Sequence, residues 1–418
     1  MTEAATISEA ASRPEHVTDA VYYDFDLFHD PGLTADPHRR IIDLVENAPP
    51  IFWTPRNGGH WMLIGHKANF EAARDVEAFS NEMVPHEQLQ AILAQMPPDA
   101  PRIPMAYPIN LDPPLHGKYR VPLQGVFSPK TINAIKDSIR ELAGEIIDQV
   151  VPQGQCEFMS AVAEPLPVKV FLNMLGMPLD KLPEYRALVK AHLSEIQPDP
   201  SKAMQRLQQV AAIMRDTLIE RRDNPQDDII SMLWQVEIDG RPTTLEDLEN
   251  YGVLLFIAGL DTVMQGMGHG VRRLAEDAAL QDELRANPEL ISDATEEILR
   301  RYTFTVPPRR VAKDLQFQGV EMKEGERAML FLPAADLDPA EYPEPDRLDI
   351  RREGKAHIAF NAGPHRCLGS HLARVELNVL YEELLARLPP FRLDAGRPPR
   401  FHGGHVIGVE ELNLVWEN

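Results

Sequence analysis

The segment from Phe360 to Gly369, FNAGPHRCLG, combines residue types that could bind a metal. It places Cys367 immediately before a predicted helix, whose unsatisfied backbone amides would lower the pKa of the thiol and favour a thiolate ligand. Glycines on both sides of the cysteine let the backbone approach a flat group closely. The alternative is a buried free cysteine, which is the interpretation we give to Cys156, the second of the two cysteines. Two cysteines also exclude a disulfide-stapled scaffold and an all-cysteine zinc site.

A second candidate for chemistry is a carboxylate and a hydroxyl in the middle of an apolar helix. Five residues at helical spacing share one stripe: Leu254, Ala258, Asp261, Thr262 and Gln265. In ordinary helix packing the two polar side chains would reach solvent, or the Thr262 hydroxyl would donate to the Ala258 carbonyl. Apolar residues on either side of the pair oppose exposure to solvent. The residues alone leave open whether the pair is ordinary helix packing or a functional site.

A third candidate is a charged pair. Glu297 and Arg300 lie three residues apart, so they share one face of a predicted helix and can form an ion pair. A surface pair of this kind stabilises a protein by about 0 to 1 kcal/mol, whereas removing one partner of a buried pair costs about 3 to 5 kcal/mol. The residues alone leave both possibilities open.

The elements that position these residues are predicted to be mostly helices. Hydrophobic periodicity predicts helices over residues 36–46, 131–151, 166–175, 183–193, 202–222, 245–270, 288–302 and 368–388. Short strands are predicted within residues 57–65, 306–312, 327–332, 406–409 and 412–416. Residues 1–18 are small and polar and are expected to be flexible, and no repeat or linker divides residues 19–418. We therefore expect a mainly α fold with minor β sheets in a single domain.

Composition limits the class of partner. The 418 residues include 64 acidic and 42 basic side chains, and the resulting charge of −22 argues against a nucleic-acid-binding surface. The densest apolar run, Val253 to Leu260, is much shorter than the roughly 20 residues that a membrane-spanning helix needs. The N-terminus has neither the basic start nor the apolar core of a secretion signal. We expect a cytoplasmic protein with no nucleic-acid or membrane partner.

Together these motifs resemble a known family. The spacing of phenylalanine, glycine, histidine, cysteine and glycine in the cysteine segment is similar to the haem-binding loop of the cytochrome P-450 haem-thiolate monooxygenases. Three other motifs agree in order and separation: AGLDT (residues 258–262), EILR (297–300) and PDR (345–347). Details such as LDPP at residues 111–114 are most similar to the bacterial camphor-hydroxylase branch. The resemblance implies a haem b buried between a long distal helix and the proximal helix that follows the cysteine.

The resemblance also implies roles for individual residues. The implied haem-binding residues are Cys367, whose thiolate would bind the iron, and Phe360, His365, Arg309, His116 and Arg120. Arg310 stays open as an alternative to Arg309. The acid and the alcohol of the stripe, Asp261 and Thr262, would manage protons for oxygen activation. The EILR pair would be buried and structural, and its implied third partner is Arg347.

The activity implied by the resemblance is insertion of one oxygen atom from O₂ into a C–H bond of a small apolar substrate. The implied pocket wall is apolar and consists of Leu254, Ile257, Ala258, Val306 and Val406. The resemblance favours a terpenoid or norisoprenoid of about ten to thirteen carbons. It argues against camphor, because Tyr107 is displaced from the position where camphor-binding relatives place a tyrosine.

Electrons are expected to come from separate proteins, because the chain ends soon after the cysteine helix. The resemblance implies a [2Fe–2S] ferredoxin with an NADH-dependent reductase. An acidic ferredoxin would need a local basic patch on this acidic chain, which we predict at Arg120, Lys355, Arg366 and Arg374. Three alternatives remain: a peroxide-using or rearranging enzyme of the same fold, a haem sensor without turnover, and a cysteine hydrolase without haem.

Overall fold

Helices make up most of the structure. The computed structural model describes residues 8–97, 101–179, 183–185, 187–188, 200–354 and 356–417. Its α-helices are α1 (Pro31–Ala35), α2 (Pro37–Asn47), α3 (His66–Arg74), α4 (His86–Ala94), α5 (Leu115–Val126), α6 (Pro129–Ala134), α7 (Lys136–Val150), α8 (Pro165–Leu175), α9 (Pro200–Asp223), α10 (Ile229–Trp234), α11 (Leu245–Glu276), α12 (Ala278–Ala286), α13 (Ile291–Arg301), α14 (Leu332–Ala335) and α15 (Ser370–Arg387). The predicted class, mainly α with minor β sheets, is confirmed.

The strands form small sheets at the side of the helical region. They are β1 (Ile51–Thr54), β2 (His60–Leu63), β3 (Phe79–Ser80), β4 (Gln155–Glu157), β5 (Glu237–Ile238), β6 (Arg241–Pro242), β7 (Pro308–Val311), β8 (Leu315–Phe317), β9 (Val320–Met322), β10 (Arg327–Leu330), β11 (Phe391–Leu393), β12 (Arg400–His402), β13 (Gly408–Glu411) and β14 (Asn413–Trp416). The largest sheet has the order β1-β2-β10-β7-β3, and a three-stranded sheet has the order β11-β14-β4. Two-stranded sheets pair β12 with β13, β5 with β6 and β8 with β9.

Helix α11 runs through the core and is the longest helix of the described residues. It begins with a capping box, in which the Asp247 carboxylate accepts from the Thr244 N–H at 2.9 Å and the Thr244 hydroxyl accepts from the Asp247 N–H at 3.3 Å. By length and composition α11 could cross a membrane, but 72% of its most apolar window is buried within the fold. A helix that is apolar on nearly every face and covered by its neighbours is a core helix. Groups along α11 are therefore held on one rigid element.

Helix α15, which follows the cysteine segment, packs against α7, α11 and α13. Its contact with α11 depends on a glycine, because a Cβ at Gly270 would overlap the buried Tyr381 hydroxyl of α15. The two helices that frame the candidate site are thus locked together at a point where any larger residue would push them apart.

Most predicted elements are present with shifted ends. The helix predicted over residues 131–151 is interrupted between α6 and α7, because Ile135 leaves the helical conformation at φ −100° and ψ 0°. Helix α11 continues to Glu276 rather than ending at Gly270. The sequence analysis missed α5, where Pro122 and two glycines obscure the helical pattern. Most of the helix predicted over residues 183–193 lies outside the described residues.

The prediction of a flexible segment over residues 1–18 is wrong for residues 8–18. The Ser8 N–H donates to Asp26 Oδ2 at 2.8 Å, and the Ala11 N–H donates to the Pro55 carbonyl at 2.8 Å. Val17 is only 2% exposed and belongs to the apolar cluster around β1 and β2. These contacts fasten the segment to the largest sheet, and residues 1–7 lie outside the described part of the chain.

Candidate active site

A tight loop presents Cys367. The Cys367 N–H donates to the Phe360 carbonyl at 2.8 Å and closes the loop, while Asn361 and Gly363 adopt positive φ values of 61° and 68°. A Cβ at Gly363 would collide with the backbone of Ala73 in α3, so only glycine fits there. Helix α15 begins directly after the loop, at Ser370. The fold therefore fixes the cysteine backbone on both sides.

Side chains from two helices support this loop. Phe360 is partly buried, and the Arg374 guanidinium lies 4.5 Å from its ring centre. Arg374 forms a bidentate pair with Glu296 at 2.6 and 2.9 Å, and Glu296 also contacts His357 Nε2 at 3.2 Å. Burial raises the pKa of Glu296, but the hydrogen bonds from His357 and Arg374 outweigh it and lower the value to about 2. Glu296 reaches the loop only through the packing of α13 beside α15, so the sequence did not predict it, and His357 lies just before Phe360 in the chain.

The electrostatics of Cys367 differ from the prediction. Cys367 is exposed to solvent, and neighbouring protein atoms surround its thiol. Desolvation by these atoms raises the pKa of the thiol, and the Gly369 N–H and the guanidinium groups of Arg120, Arg366 and Arg374 lower it by less. The predicted net lowering is therefore wrong for the free thiol. A bound metal cation would replace the thiol proton, and these donors would then stabilise the thiolate.

Three of the predicted haem contacts carry buried nitrogen atoms without hydrogen-bond partners. These atoms are His116 Nε2, His365 Nε2, Arg309 Nε and Arg309 Nη2. The two histidine rings lie 4.2 Å apart, and Arg309 is 2% exposed. Burial lowers the pKa of His116 to about 4, that of Arg309 to about 10 and that of His365 far below its usual range. Unpaired buried donors are costly, so this set fits an anionic group such as the propionates of a haem.

The two remaining candidate arginines, Arg120 and Arg310, have different surroundings. Arg120 Nη2 donates to the Arg366 carbonyl at 2.5 Å, which places Arg120 beside the cysteine loop. Arg310 Nε donates to the Glu82 carbonyl at 2.8 Å, on the face of β7 opposite the buried Arg309. Because side chains alternate along a strand, only one of the two neighbouring arginines can point inward. The geometry favours Arg309.

On α11 the predicted stripe forms a row of hydrogen bonds. The Thr262 hydroxyl donates to the Ala258 carbonyl at 2.9 Å, as threonines within helices commonly do. Asp261 Oδ1 accepts from Gln265 Nε2 at 3.2 Å, and Gln265 Oε1 accepts from the Val409 N–H at 2.7 Å. Burial raises the pKa of Asp261 by more than the Gln265 amide and nearby His402 lower it. The helix thus holds a desolvated carboxyl group next to a hydroxyl.

Glu297 and Arg300 form a fully buried pair. Arg300 Nε and Nη2 donate to the two Glu297 carboxylate oxygens at 2.9 and 2.8 Å, and both side chains are 0% exposed. Arg300 Nη1 also donates to the carbonyls of Asp336 and Pro345 at 2.8 and 2.9 Å. The pair therefore ties α13 to the segment that precedes the cysteine loop, and it is not a surface ion pair.

Arg347 does not complete this cluster as predicted. Its side chain is 61% exposed and pairs with Glu344 at 3.1 Å, while its backbone carbonyl accepts from Arg300 at 3.2 Å. Arg352 takes the predicted place, with Nε 3.1 Å from Glu297 Oε1 and Nη2 donating to the carbonyls of Glu344 and Arg347 at 3.0 and 2.9 Å. The two arginines close successive turns, in which the Arg347 N–H donates to the Glu344 carbonyl at 3.1 Å and the Arg352 N–H donates to the Asp349 carbonyl at 2.9 Å, and only the second turn points its arginine inward.

The residues predicted to contact substrate fall in two places. On α11 they are Leu254, Ile257 and Ala258, and in the C-terminal half of the chain they are Val306 and Val406. Leu254 is buried and Ala258 is exposed, so α11 turns an accessible surface toward the interior at Ala258. The Val306 N–H donates to the His405 carbonyl at 2.8 Å, and this bond brings the two valines together.

Tyr107 lies near the start of α11. It is 7% exposed, packs on the Tyr119 ring at 5.0 Å and lines a cavity of about 650 Å³ near the start of α11. Asn250 also lines this cavity. Asn250 precedes Asp261 by eleven residues, or about 16 Å along the helix. The cavity that Tyr107 lines is therefore distant along α11 from Asp261 and Thr262.

Comparisons with known proteins cover nearly the whole chain. The family model described as Cytochrome P450 matches residues 168–409. The solved structure of CYP101J2 superposes with a TM-score of 0.86 at 32% identity, covering 98% of this chain and 100% of the other. Linalool 8-monooxygenase of Pseudomonas putida is 28% identical over 91% of this chain and 95% of its own length. Steroid C26-monooxygenase of Mycobacterium tuberculosis is 31% identical over 84% of this chain and 93% of its own length.

The region matched by the family model contains the main structural features of the candidate site. It spans the long helix α11, the buried pair of α13 and the loop that presents the cysteine. Full-length relatives and a full-length structural neighbour have the same architecture. This chain therefore belongs to the cytochrome P450 family and is a haem-dependent monooxygenase.

Proposed function

We propose that this enzyme binds haem b and hydroxylates a small apolar substrate with O₂. The observation that carries the proposal is the set of unpaired buried donors on His116, His365 and Arg309 beside the loop of Cys367. In this proposal the Cys367 thiolate binds the iron, and the three donors and Arg120 hold the propionates. The haem, when bound, supplies the activation of oxygen.

Asp261 and Thr262 are proposed to handle the protons that this reaction needs. Because burial raises the pKa of Asp261, its carboxyl group binds a proton more readily than an exposed aspartate does. A hydroxyl has one proton, so Thr262 must release the Ala258 carbonyl before it can donate to a bound molecule. Meanwhile its oxygen can accept a hydrogen bond from a neighbouring acid or water. The pair therefore suits stepwise transfer.

The substrate is proposed to be a terpenoid or norisoprenoid. Apolar side chains at the five candidate positions and the name of the linalool relative support this class, and the steroid relative identifies the main competitor. A panel of linalool, a norisoprenoid ketone and a steroid, scored by the low-spin to high-spin shift of the bound haem, tests the class. Val306→Phe should abolish the terpenoid response, while Val121→Phe, at a residue that is 63% exposed, should preserve it. A larger response to the steroid would contradict the proposal.

Electrons are proposed to come from a [2Fe–2S] ferredoxin with an NADH-dependent reductase, and the cytoplasm is the proposed compartment. The docking patch is narrower than the four residues predicted. Arg366 is exposed and Arg120 lies beside it, but Arg374 is neutralised by Glu296, and Lys355 lies outside the described residues. Arg366 is therefore the proposed centre of the patch.

The thiolate assignment is tested by replacing each cysteine in turn. Cys367→Ala should abolish the Soret band of the reduced carbon monoxide complex that marks thiolate ligation, while Cys156→Ala should preserve it, because Cys156 is a buried packing residue. A normal spectrum from Cys367→Ala would overturn the proposal and leave a hydrolase or another haem ligand to be considered.

Turnover distinguishes the remaining alternatives. With ferredoxin, reductase and substrate present, the enzyme should consume NADH and release hydroxylated product. Product formed with added hydrogen peroxide but not with NADH would identify a peroxide-using enzyme. Haem binding with no product under either condition would identify a sensor.

A further inference from the structure

Arg301 carries a buried positive charge that forms no salt bridge with the described residues, although the Asp346 carboxylate acts on it at longer range. It follows Arg300 at the end of α13 and is 8% exposed. Its Nε donates to the Asp346 carbonyl at 2.6 Å, and its guanidinium lies 5.0 Å from the centre of the Tyr302 ring. Its Nη1 is buried without a hydrogen-bond partner. Because an uncompensated buried guanidinium is unfavourable, a counterion is expected here.

The same guanidinium lines a cavity of about 200 Å³ between α2, α11 and α13. The charged and titratable residues of the cavity are Arg39, Arg272, Arg301, His38, Asp36 and Glu276. Arg272 pairs with Glu276 through Nε at 2.8 Å, but its Nη1 is also buried without a partner. Arg39 pairs with Asp43 at 2.9 Å, and Arg272 Nη2 lies 3.8 Å from Asp36. The two buried Nη1 groups of Arg272 and Arg301, which lack hydrogen-bond acceptors, therefore favour an anion here.

Hydrogen bonds determine which ring nitrogen of His38 carries the proton, and so whether His38 can donate to or accept from such an anion. His269 Nε2 lies 2.8 Å from the Ile407 carbonyl, which can only accept, so Nε2 carries the proton and Nδ1 is a lone pair. His38 Nε2 lies 3.2 Å from that lone pair and must donate to it. His38 Nδ1 is then also a lone pair.

Both rings are neutral near pH 7. Burial lowers the pKa of His269 to about 4 and that of His38 well below its usual range. The charges of Arg272 and Arg301 act on His38 in the same direction. His38 therefore offers the cavity an acceptor, while the arginines offer donors.

We propose that this cavity binds a phosphate ion that retains a proton. Its negative oxygens accept from Arg301 and Arg272, and its P–OH donates to His38 Nδ1. Sulfate has no proton to donate near neutral pH, so one of its oxygens would face the His38 lone pair. A phosphomonoester loses its last proton near pH 6 and meets the same repulsion above that pH. The site therefore selects free inorganic phosphate over sulfate and over phosphorylated molecules at pH 7.5.

The test measures anion binding to the haem-loaded enzyme by calorimetry, and it does not depend on turnover. At pH 7.5 and matched ionic strength, phosphate should bind at least tenfold more tightly than sulfate and should raise the melting temperature with concentration. Methyl phosphate should bind at pH 5.5 and at least tenfold more weakly at pH 7.5. Arg301→Gln should weaken phosphate binding at least tenfold. The control is Arg392→Gln, at an exposed arginine of β11 outside the cavity, which should leave binding unchanged.

Equal affinity for phosphate and sulfate, or equal effects of the two arginine variants, would overturn the proposal. So would methyl phosphate binding that is independent of pH. If Arg301→Gln does not fold, His38→Phe retains an aromatic ring against Tyr302 and must lose the preference for phosphate over sulfate. A preference that survives in His38→Phe would also overturn it.

Discussion

Thr262 and Asp261 are adjacent in α11 but have different partners, so substitutions should separate their effects. The Thr262 hydroxyl donates only to its own helix, at the Ala258 carbonyl. Thr262→Ala should therefore fold, bind substrate and consume NADH, but release hydrogen peroxide in place of product. We expect product formed per NADH to fall about tenfold or more, within the range of positioned proton-transfer groups.

Asp261→Asn should instead slow NADH consumption and product formation together, because the amide cannot supply a proton. Its turnover should also show a larger solvent isotope effect than that of the parent enzyme. The control is Val263→Ala, an apolar change at the next residue, which should leave coupling intact. Full coupling in Thr262→Ala together with unslowed turnover in Asp261→Asn would show that protons arrive by another route.

The burial of Glu376 is expected to make the stability of the enzyme depend on pH. This residue of α15 is 1% exposed, and burial raises its pKa from 4.5 to about 8. Between these two values the folded state binds a proton that the unfolded state has lost. The free energy of unfolding should therefore fall as pH rises from 4.5 to about 8, by up to about 1.4 kcal/mol per pH unit.

Glu376→Gln should remove this slope and should stabilise the enzyme more at pH 8 than at pH 5. Denaturant unfolding at the two pH values measures the effect. Glu289→Gln, at an exposed glutamate, is the matched control and should keep the parent slope. An unchanged slope in Glu376→Gln would mean that the carboxyl group ionises in the folded protein with an ordinary pKa.

At the scale of elements, one side chain fastens the loop before α5 to α11. Arg102 Nη1 donates to Glu249 at 2.7 Å, and its Nη2 donates to Asn250 Oδ1 at 2.6 Å. The same Asn250 oxygen accepts from the Met105 N–H at 2.9 Å, and Gln208 of α9 donates to the Arg102 carbonyl at 3.2 Å. Two helices and the loop therefore meet at Arg102.

Arg102→Ala should release this loop and speed the entry and exit of ligands about tenfold. Stopped-flow measurement of the spin-state shift gives both rate constants. The control is Lys118→Ala, which breaks an exposed pair with Asp239 and leaves the loop contacts in place. Equal rates in the two variants would show that the loop does not limit ligand passage.

The elements also show what can be predicted from sequence. Helix α11 was predictable because its apolar run and its capping box act within the helix itself. The inward position of Arg352 was not predictable, because it depends on the turn that begins at Asp349. Glu297 fixes that turn, since its Oε1 accepts from the Asp349 N–H at 2.9 Å. Candidate haem-binding residues could be proposed from motif spacing, but the support of Phe360 by Arg374 and Glu296 could not, because Glu296 comes from a segment that is distant in the chain. Packing between elements is the information that a single sequence lacks.

At the scale of the whole molecule, the proposed function requires this acidic enzyme to attract an acidic ferredoxin through a small basic surface. Arg366→Glu should slow electron transfer and flatten its dependence on salt, because it reverses the exposed charge at the centre of the proposed patch. Stopped-flow reduction at several ionic strengths measures both effects.

Two further variants separate an effect on the local patch from effects on stability and on net charge. Arg374→Glu should chiefly lower stability, because it places a negative charge against Glu296. Arg392→Glu changes the net charge equally at an exposed site on β11 and should leave the salt dependence unchanged. Equal slowing by Arg366→Glu and Arg392→Glu would indicate that net charge, rather than a local patch, controls association.

The continuity of α11 restricts how this protein can change during evolution. The helix carries the Arg102 attachment at its start, the Asp261 row in its middle and Arg272 of the phosphate cavity near its end. Inserting or deleting one residue between any two of these points would rotate everything beyond it by about 100°. The points on opposite sides of the change would then lose their alignment with each other. Divergence along this helix should therefore proceed by substitution at fixed length, and new specificities should arise in the loops around it, where added residues disturb no shared register.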